Sequence, residues 1–316
     1  MSRKLRPSII ALLSLYLQVP FAISVKYTLS ESIVGNAFYD KFTWFDIPDW
    51  NHGRVNYTDR ETSRRLNLTY ASSDTFILRS DFTTVLDPAG PGRNSVRIIS
   101  KQTYTTHVAI FDVRHMPEGC GTWPAIWETK QDGWPNGGEL DIVEGINNQT
   151  PNLVSVHTSP NCTMPRDRNQ TGTPASLTCD GGCNVRMRSR ESFGPAFNAN
   201  GGGWFAVERR PDFIKVWFWP RKGGVAAPRD VISPGTSATT EAWGIPDALF
   251  ATTPSCDLAA KFRENAIIIN LNFCGDWAGS QYGASGCPST CANFVNTNTA
   301  YYWNAYFDIA SIRIYL

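Results

Sequence analysis

The fold class that the sequence predicts is all-β, an antiparallel double-sheet sandwich, and three observations predict it. Short apolar or alternating runs rich in β-branched and aromatic residues recur along the chain. Gly, Pro and Asn separate them, as turns require. No long stretch has the 3.6-residue amphipathic periodicity that an α/β fold needs for its crossover helices.

In chain order, residues 1–24 come first and are set aside. A basic start, "MSRKLR", precedes an apolar run and the small residues of "AIS", which predicts a signal peptide cleaved after Ser24. Pro20 and the shortness of the run argue against a transmembrane anchor. Residues 25–316 are then expected to form a single catalytic domain. Strands are predicted in "DTFILRS", "NSVRIIS", "THVAIFDVRHM", "GELDIVEG", "NLVSVHTS", "GWFAVERR", "FIKVWFWP", "NAIIINLNF" and "YFDIASIRIYL". Residues 159–203 and 220–264 resist strand assignment; loops this long in a compact domain are functional or cross-linked. The final segment lacks a lipid-anchor tail, so the expectation is a released, extracellular protein without a membrane anchor.

Taking Arg3, Lys4 and Arg6 from the 29 basic residues leaves about two fewer than the 28 acidic ones, which disfavours nucleic acid as a partner. All eight cysteines follow the export signal, so four disulfides are expected, with 105 possible pairings left open. A zinc site at Cys179 and Cys183 or at Cys287 and Cys291 is the weaker alternative, because paired CxxC spacing and a nearby His are missing; no metal or cofactor is expected. Asn56, Asn67, Asn148, Asn161 and Asn169 each begin a glycosylation sequon.

The chemistry concentrates in "NGGELDIVEGIN", residues 136–147, where Glu139, Asp141 and Glu144 occupy six positions. On a regular strand the first two share a face and Glu144 falls on the other. A β-bulge between Asp141 and Glu144 would bring all three to one face. Long side chains over a concave sheet would then set the glutamate carboxyls about 5 Å apart, the separation used by retaining glycosidases. Mutual repulsion of roughly 3 kcal/mol would keep one of them protonated at mildly acidic pH. Trp123, Trp127 and Trp134 precede the cluster, and an indole face suits the C–H face of a pyranose. Trp217 and Trp219, by contrast, are expected in a core. A solvated acidic strand or a calcium site is the plainer reading of the carboxylates alone.

The run "GTWPAIW" followed by "GELDIVEG" resembles glycoside hydrolase family 16, in the laminarinase branch with its E-x-D-x-x-E signature. "HGRVNYTD", "GPGRNSVRI", "TYTTHVAIFDVRHMPEGCGTWPAIWE", "NANGGGW", "IKVWF" and "INLNFCGDWAG" extend the resemblance to fungal secreted endo-1,3(4)-β-glucanases over nearly the whole mature chain. It implies a curved, concanavalin-like β-jelly roll with a concave substrate cleft, acting on laminarin-type β-1,3-glucans and mixed-linkage β-glucans. By the same resemblance Glu139 matches the nucleophile, Glu144 the acid/base and Asp141 the carboxylate between them. His157 matches a histidine beside the pair, Trp123, Trp127, Trp134 and Trp277 match cleft aromatics, and Arg97 a sugar contact. A β-glucan is the expected partner and a monomer the expected assembly. A cell-wall transglycosylase and a non-catalytic β-glucan recognition protein are the alternatives.

Overall fold

The computed structural model describes residues 25–316; the predicted signal peptide, residues 1–24, lies outside the described residues. Alternation along the strands sorts side chains between two antiparallel sheets that stack into a β-jelly-roll sandwich. One sheet runs in the order Ser237–Ala238, Tyr27–Ile33, Tyr306–Tyr315, His107–His115, Gly203–Arg209, Phe213–Pro220 and Ala248–Ala251, with Phe76–Arg79 joined to its long C-terminal strand and Thr69–Ala71 paired in turn with Phe76–Arg79. The other carries the cleft. Its order is Thr173–Ser176, Cys183–Arg186, Leu153–His157, Glu139–Glu144, Thr122–Thr129, Asn265–Phe273, Arg97–Tyr104 and Phe42–Trp44.

The strand Asn265–Phe273 shows how the sequence divides the two faces. Ile267, Ile269, Leu271 and Phe273 enter the core between the sheets, while Ile268, Asn270 and Asn272 line the cleft on the opposite face. Both faces are occupied, so the whole strand is buried and reads as a nearly continuous apolar run. Trp217 and Trp219 are buried, as expected, but not between the sheets. They belong to a second apolar cluster with Val108, Ile110, Trp204 and Trp243, on the outer face of the nine-stranded sheet.

One ionic group lies inside the main core. His107 Nε2 is 2.8 Å from Glu128 Oε1, and Arg209 Nε is 3.2 Å from Glu128 Oε2, all three side chains being almost wholly buried. His107 and Arg209 are cross-strand partners in the nine-stranded sheet, and Glu128 reaches them from the cleft sheet. Burial alone would raise the Glu128 pKa, but His107 and Arg209 outweigh it and hold the carboxyl below its usual range.

All eight cysteines pair, as Cys120–Cys287, Cys162–Cys256, Cys179–Cys183 and Cys274–Cys291. The stretches that carry no strand signal hold short elements tied by these bridges. Thr173–Ser176 and Cys183–Arg186 form one edge of the cleft sheet, and Cys179–Cys183 closes the turn that leads into it. Tyr27–Ile33 and Phe42–Trp44 are further strands without a strong sequence signal. Asn56, Asn67, Asn161 and Asn169 are exposed, whereas Asn148 is half-buried and its side-chain oxygen accepts the Gly119 N–H. Among the described residues no helix is long and apolar enough to cross a membrane.

Candidate active site

The strand Glu139–Glu144 pairs on one side with Thr122–Thr129, and there the ladder slips. Asp141 faces Trp127, but Val143 faces Ile126 and Glu144 faces Ala125, so Ile142 is the extra residue of a bulge. Leu140, Ile142 and Val143 all point into the core. Glu139, Asp141 and Glu144 all line the cleft. The odd spacing in the sequence is thus absorbed where the acidic pattern requires it. Gly138, which admits the chain to this strand, adopts φ +76°, and a Cβ there would come 2.6 Å from the Phe262 ring.

Each glutamate receives an indole. Trp134 Nε1 donates to Glu139 Oε2 over 3.0 Å, and Trp123 Nε1 donates to Glu144 Oε1 over 2.8 Å. His157 is the direct ladder partner of Glu139. Its Nε2 lies 3.7 Å from Glu139 Oε1 and 3.3 Å from Asp141 Oδ2. The backbone of the neighbouring turn crowds the imidazole: a Cβ on Gly182 would meet His157 Cε1 at 2.6 Å.

Burial is the largest cause of the carboxyls' electrostatics, ahead of the mutual repulsion expected from spacing alone. It pushes Asp141 up to about 8 and, aided by the Asp141 charge, Glu144 up to about 8. Glu139 is also held well above the usual carboxylate range by burial, then by Asp141 and Glu144, against the opposing pull of His157 and the Trp134 N–H. Three such groups titrate as a set, and the set retains protons at neutral pH. One buried patch therefore offers both a proton donor and, once a proton leaves, a carboxylate.

These groups lie on the floor of a cleft of about 870 Å³. Trp123, Trp127, Trp134 and Trp277 all line it, with Trp277 edge-on to Trp123 at 5.7 Å between ring centres. Trp134 is 58 % exposed, so its ring is free on one side. Trp127 Nε1 donates to Asn270 Oδ1 over 2.7 Å, which fixes that ring against the sheet. Arg97 also borders the cleft, and its nitrogens are engaged within the protein. Its side chain is 4 % exposed; Nε and Nη2 donate to the carbonyls of Phe45 and Ile47, and Nη1 lies 3.6 Å from Asp49 Oδ1. With its nitrogens so engaged and its plane over the Phe45 and Tyr57 rings, Arg97 shapes the wall that residues 45–50 form.

Several cleft residues carry no signal in the sequence pattern. Phe45, Trp50 and Tyr57 reach the cleft from the N-terminal segment, and Trp50 is 61 % exposed at its rim. Asn270 and Asn272 share the cleft face of "NAIIINLNF" with Ile268, and the surrounding isoleucines mask that polar face in the sequence. Glu139, Asp141 and His157 also place one ligand atom each within 4.8 Å of one another. Burial raises both carboxyls of that trio towards their neutral forms, and a cation there would have to displace protons.

The family model described as XgeA-like, catalytic GH16 domain matches residues 42–315. A probable endo-1,3(4)-β-glucanase of Aspergillus clavatus is 38 % identical over 307 residues, covering 92 % of this chain and 47 % of that protein. This chain therefore spans about half the length of that relative. Laminarinase 16A from Phanerochaete chrysosporium, solved with 6-O-glucosyl-laminaritriose in both donor and acceptor sites, is 54 % identical with a TM-score of 0.90, covering 92 % of this chain and all of the other. An elongating family 16 β-1,3-glucosyltransferase is 37 % identical with a TM-score of 0.85 over the same shares. With this fold, a bulged E-x-D-x-x-E strand and a match over most of its length, the chain belongs to glycoside hydrolase family 16.

Proposed function

We propose that the protein is a secreted endo-1,3(4)-β-glucanase that hydrolyses laminarin-type β-1,3-glucans and mixed-linkage β-glucans with retention of anomeric configuration. The observation that carries this reading is the bulge at Ile142, which turns Glu139, Asp141 and Glu144 together into a tryptophan-lined cleft. The Glu139 carboxylate attacks the anomeric carbon while the Glu144 carboxyl gives its proton to the departing glycosidic oxygen. The bond to the leaving sugar breaks and an ester to Glu139 forms. Glu144, now ionised, takes a proton from water, the resulting hydroxide equivalent attacks the same carbon, and Glu139 leaves. Two inversions give net retention.

The surroundings suit these roles. The Trp134 N–H and His157 both favour the ionised form of Glu139, as a nucleophile needs, whereas burial keeps a proton on Glu144. Asp141, protonated below about pH 8, spares Glu139 a second full negative neighbour. Four disulfides and four exposed sequons support export and glycosylation at Asn56, Asn67, Asn161 and Asn169.

Similarity to a family 16 β-1,3-glucosyltransferase keeps glycosyl transfer as the second reading. In that case a sugar hydroxyl replaces water at the ester. Product analysis on laminarin tests both: shorter oligosaccharides alone mark the hydrolase, while products longer than an added laminari-oligosaccharide acceptor mark the transferase. Intact laminarin would overturn both.

A further inference from the structure

The bulge that aims Glu144 leaves main-chain groups without a strand partner. Pairing between Glu139–Glu144 and Leu153–His157 runs through Glu139 with His157, Leu140 with Val156 and Asp141 with Ser155, and stops there. Beyond it a single side chain takes over. Asn152 Nδ2 donates to the Ile142 carbonyl over 2.8 Å, and Asn152 Oδ1 accepts the Glu144 N–H over 2.8 Å. A carboxamide presents the same donor and acceptor as a peptide group, so it continues the ladder for one step around the extra residue.

Asn152 is itself anchored from behind and fully buried. Its N–H donates to Ser192 Oγ over 3.0 Å, and its carbonyl accepts the Met187 N–H over 3.0 Å. The carboxamide thus grips both ends of the irregularity, the bulged residue and the glutamate that the bulge reorients. Without it, the two freed peptide groups would be buried unpaired, and they could recover partners by slipping the strand by one residue. Such a slip turns Glu144 towards the core side.

We propose that Asn152 is the positioning residue for Glu144, holding the bulge in register so that this carboxyl meets the glycosidic oxygen. The proposal rests on the β-glucanase reading and on Glu144 as the acid. It touches no substrate itself. A residue that only supported the fold would, when replaced, lower all activities alike by lowering the amount of folded enzyme.

The test is the ratio of two kcat/KM values measured on one preparation, one for a laminari-oligosaccharide and one for the same glycone carrying a 2,4-dinitrophenyl leaving group. The second needs no proton, and the ratio is independent of how much enzyme is folded. Asn152→Leu, which removes donor and acceptor together, should lower the ratio at least about 10-fold, since full loss of a general acid costs about 10²- to 10⁴-fold. Asn152→Asp, which keeps the acceptor for the Glu144 N–H and nearly the same shape, should lower it less; this variant decides the matter should Asn152→Leu fail to fold. A ratio within twofold of the wild type in a folded variant, with both activities falling together, would overturn the positioning role. A wild type that cleaves neither substrate would instead overturn the β-glucanase reading, and the positioning role with it.

Discussion

Trp123 gives its indole N–H to Glu144 over 2.8 Å, and Trp134 makes the corresponding bond to Glu139 over 3.0 Å. On the proposed reading these two cleft aromatics serve twice, as platforms for sugar and as regulators of the carboxyls beneath them. Because each bond favours the ionised form, the two indoles act on opposite limbs of a pH–rate profile.

Replacing Trp134 by Phe keeps a ring and removes the N–H, so the Glu139 pKa rises. The acid limb of kcat/KM, set by ionising the nucleophile, should move to higher pH. In Trp123→Phe the Glu144 pKa rises instead, and the alkaline limb, set by loss of the acid's proton, should move to higher pH. Each lost bond should cost about 10-fold in rate at the optimum. Profiles in which both variants move the same limb would contradict the separate roles of the two glutamates.

Burying three carboxyls for catalysis should weaken the fold. A carboxyl with a raised folded-state pKa binds more protons folded than unfolded, so its contribution to stability falls as pH rises from about 4.5 through about 8. Glu144→Gln removes that loss. Its melting temperature should match the wild type near pH 4 and exceed it near pH 7, by up to about 3 kcal/mol in unfolding free energy. A variant less stable than the wild type at pH 7 would contradict the burial argument.

The disulfides should separate stability from activity. Cys120–Cys287 spans 167 residues and Cys179–Cys183 spans 4. Chain-entropy scaling gives about 5 kcal/mol for the first and about 2 kcal/mol for the second. Asp180 and Gly181, inside the small loop, line the cleft, and Gly182 packs on His157. Replacing Cys179 and Cys183 with Ala should therefore lower β-glucan turnover while leaving most of the unfolding free energy; replacing Cys120 and Cys287 should do the reverse. Calorimetry and kinetics on both pairs check this.

Much of the site was legible in the sequence because a bulge has an arithmetic signature. Three carboxyls at odd spacing share a face only if one residue is absorbed, and Ile142 is that residue. The cleft strand "NAIIINLNF" was legible as a strand, but its polar face was hidden by the isoleucines around it. Tyr27–Ile33, the edge strand Thr173–Ser176 and its neighbour Cys183–Arg186 gave weak local signals, since short strands at a sheet margin are placed by partners and by a disulfide distant from the motif. Arg97 illustrates the limit of matching by position. Its place at the cleft was foreseeable, but its engagement with Phe45, Ile47 and Asp49 depends on a wall about 50 residues upstream. Asn152 gave no signal at all, because its partners are main-chain groups exposed only by the bulge.

In the proposed mechanism Glu139 is the nucleophile and Glu144 the acid/base. Azide distinguishes them directly. In Glu144→Ala the covalent ester still forms from an activated β-glucoside, and azide should displace Glu139 to give the β-glycosyl azide. In Glu139→Ala no ester forms, and azide filling the vacated space should attack once to give the α-glycosyl azide. Proton NMR of the anomeric signal in each product is the measurement: β from Glu144→Ala and α from Glu139→Ala is the predicted result, and the opposite pair of configurations would contradict the assignment.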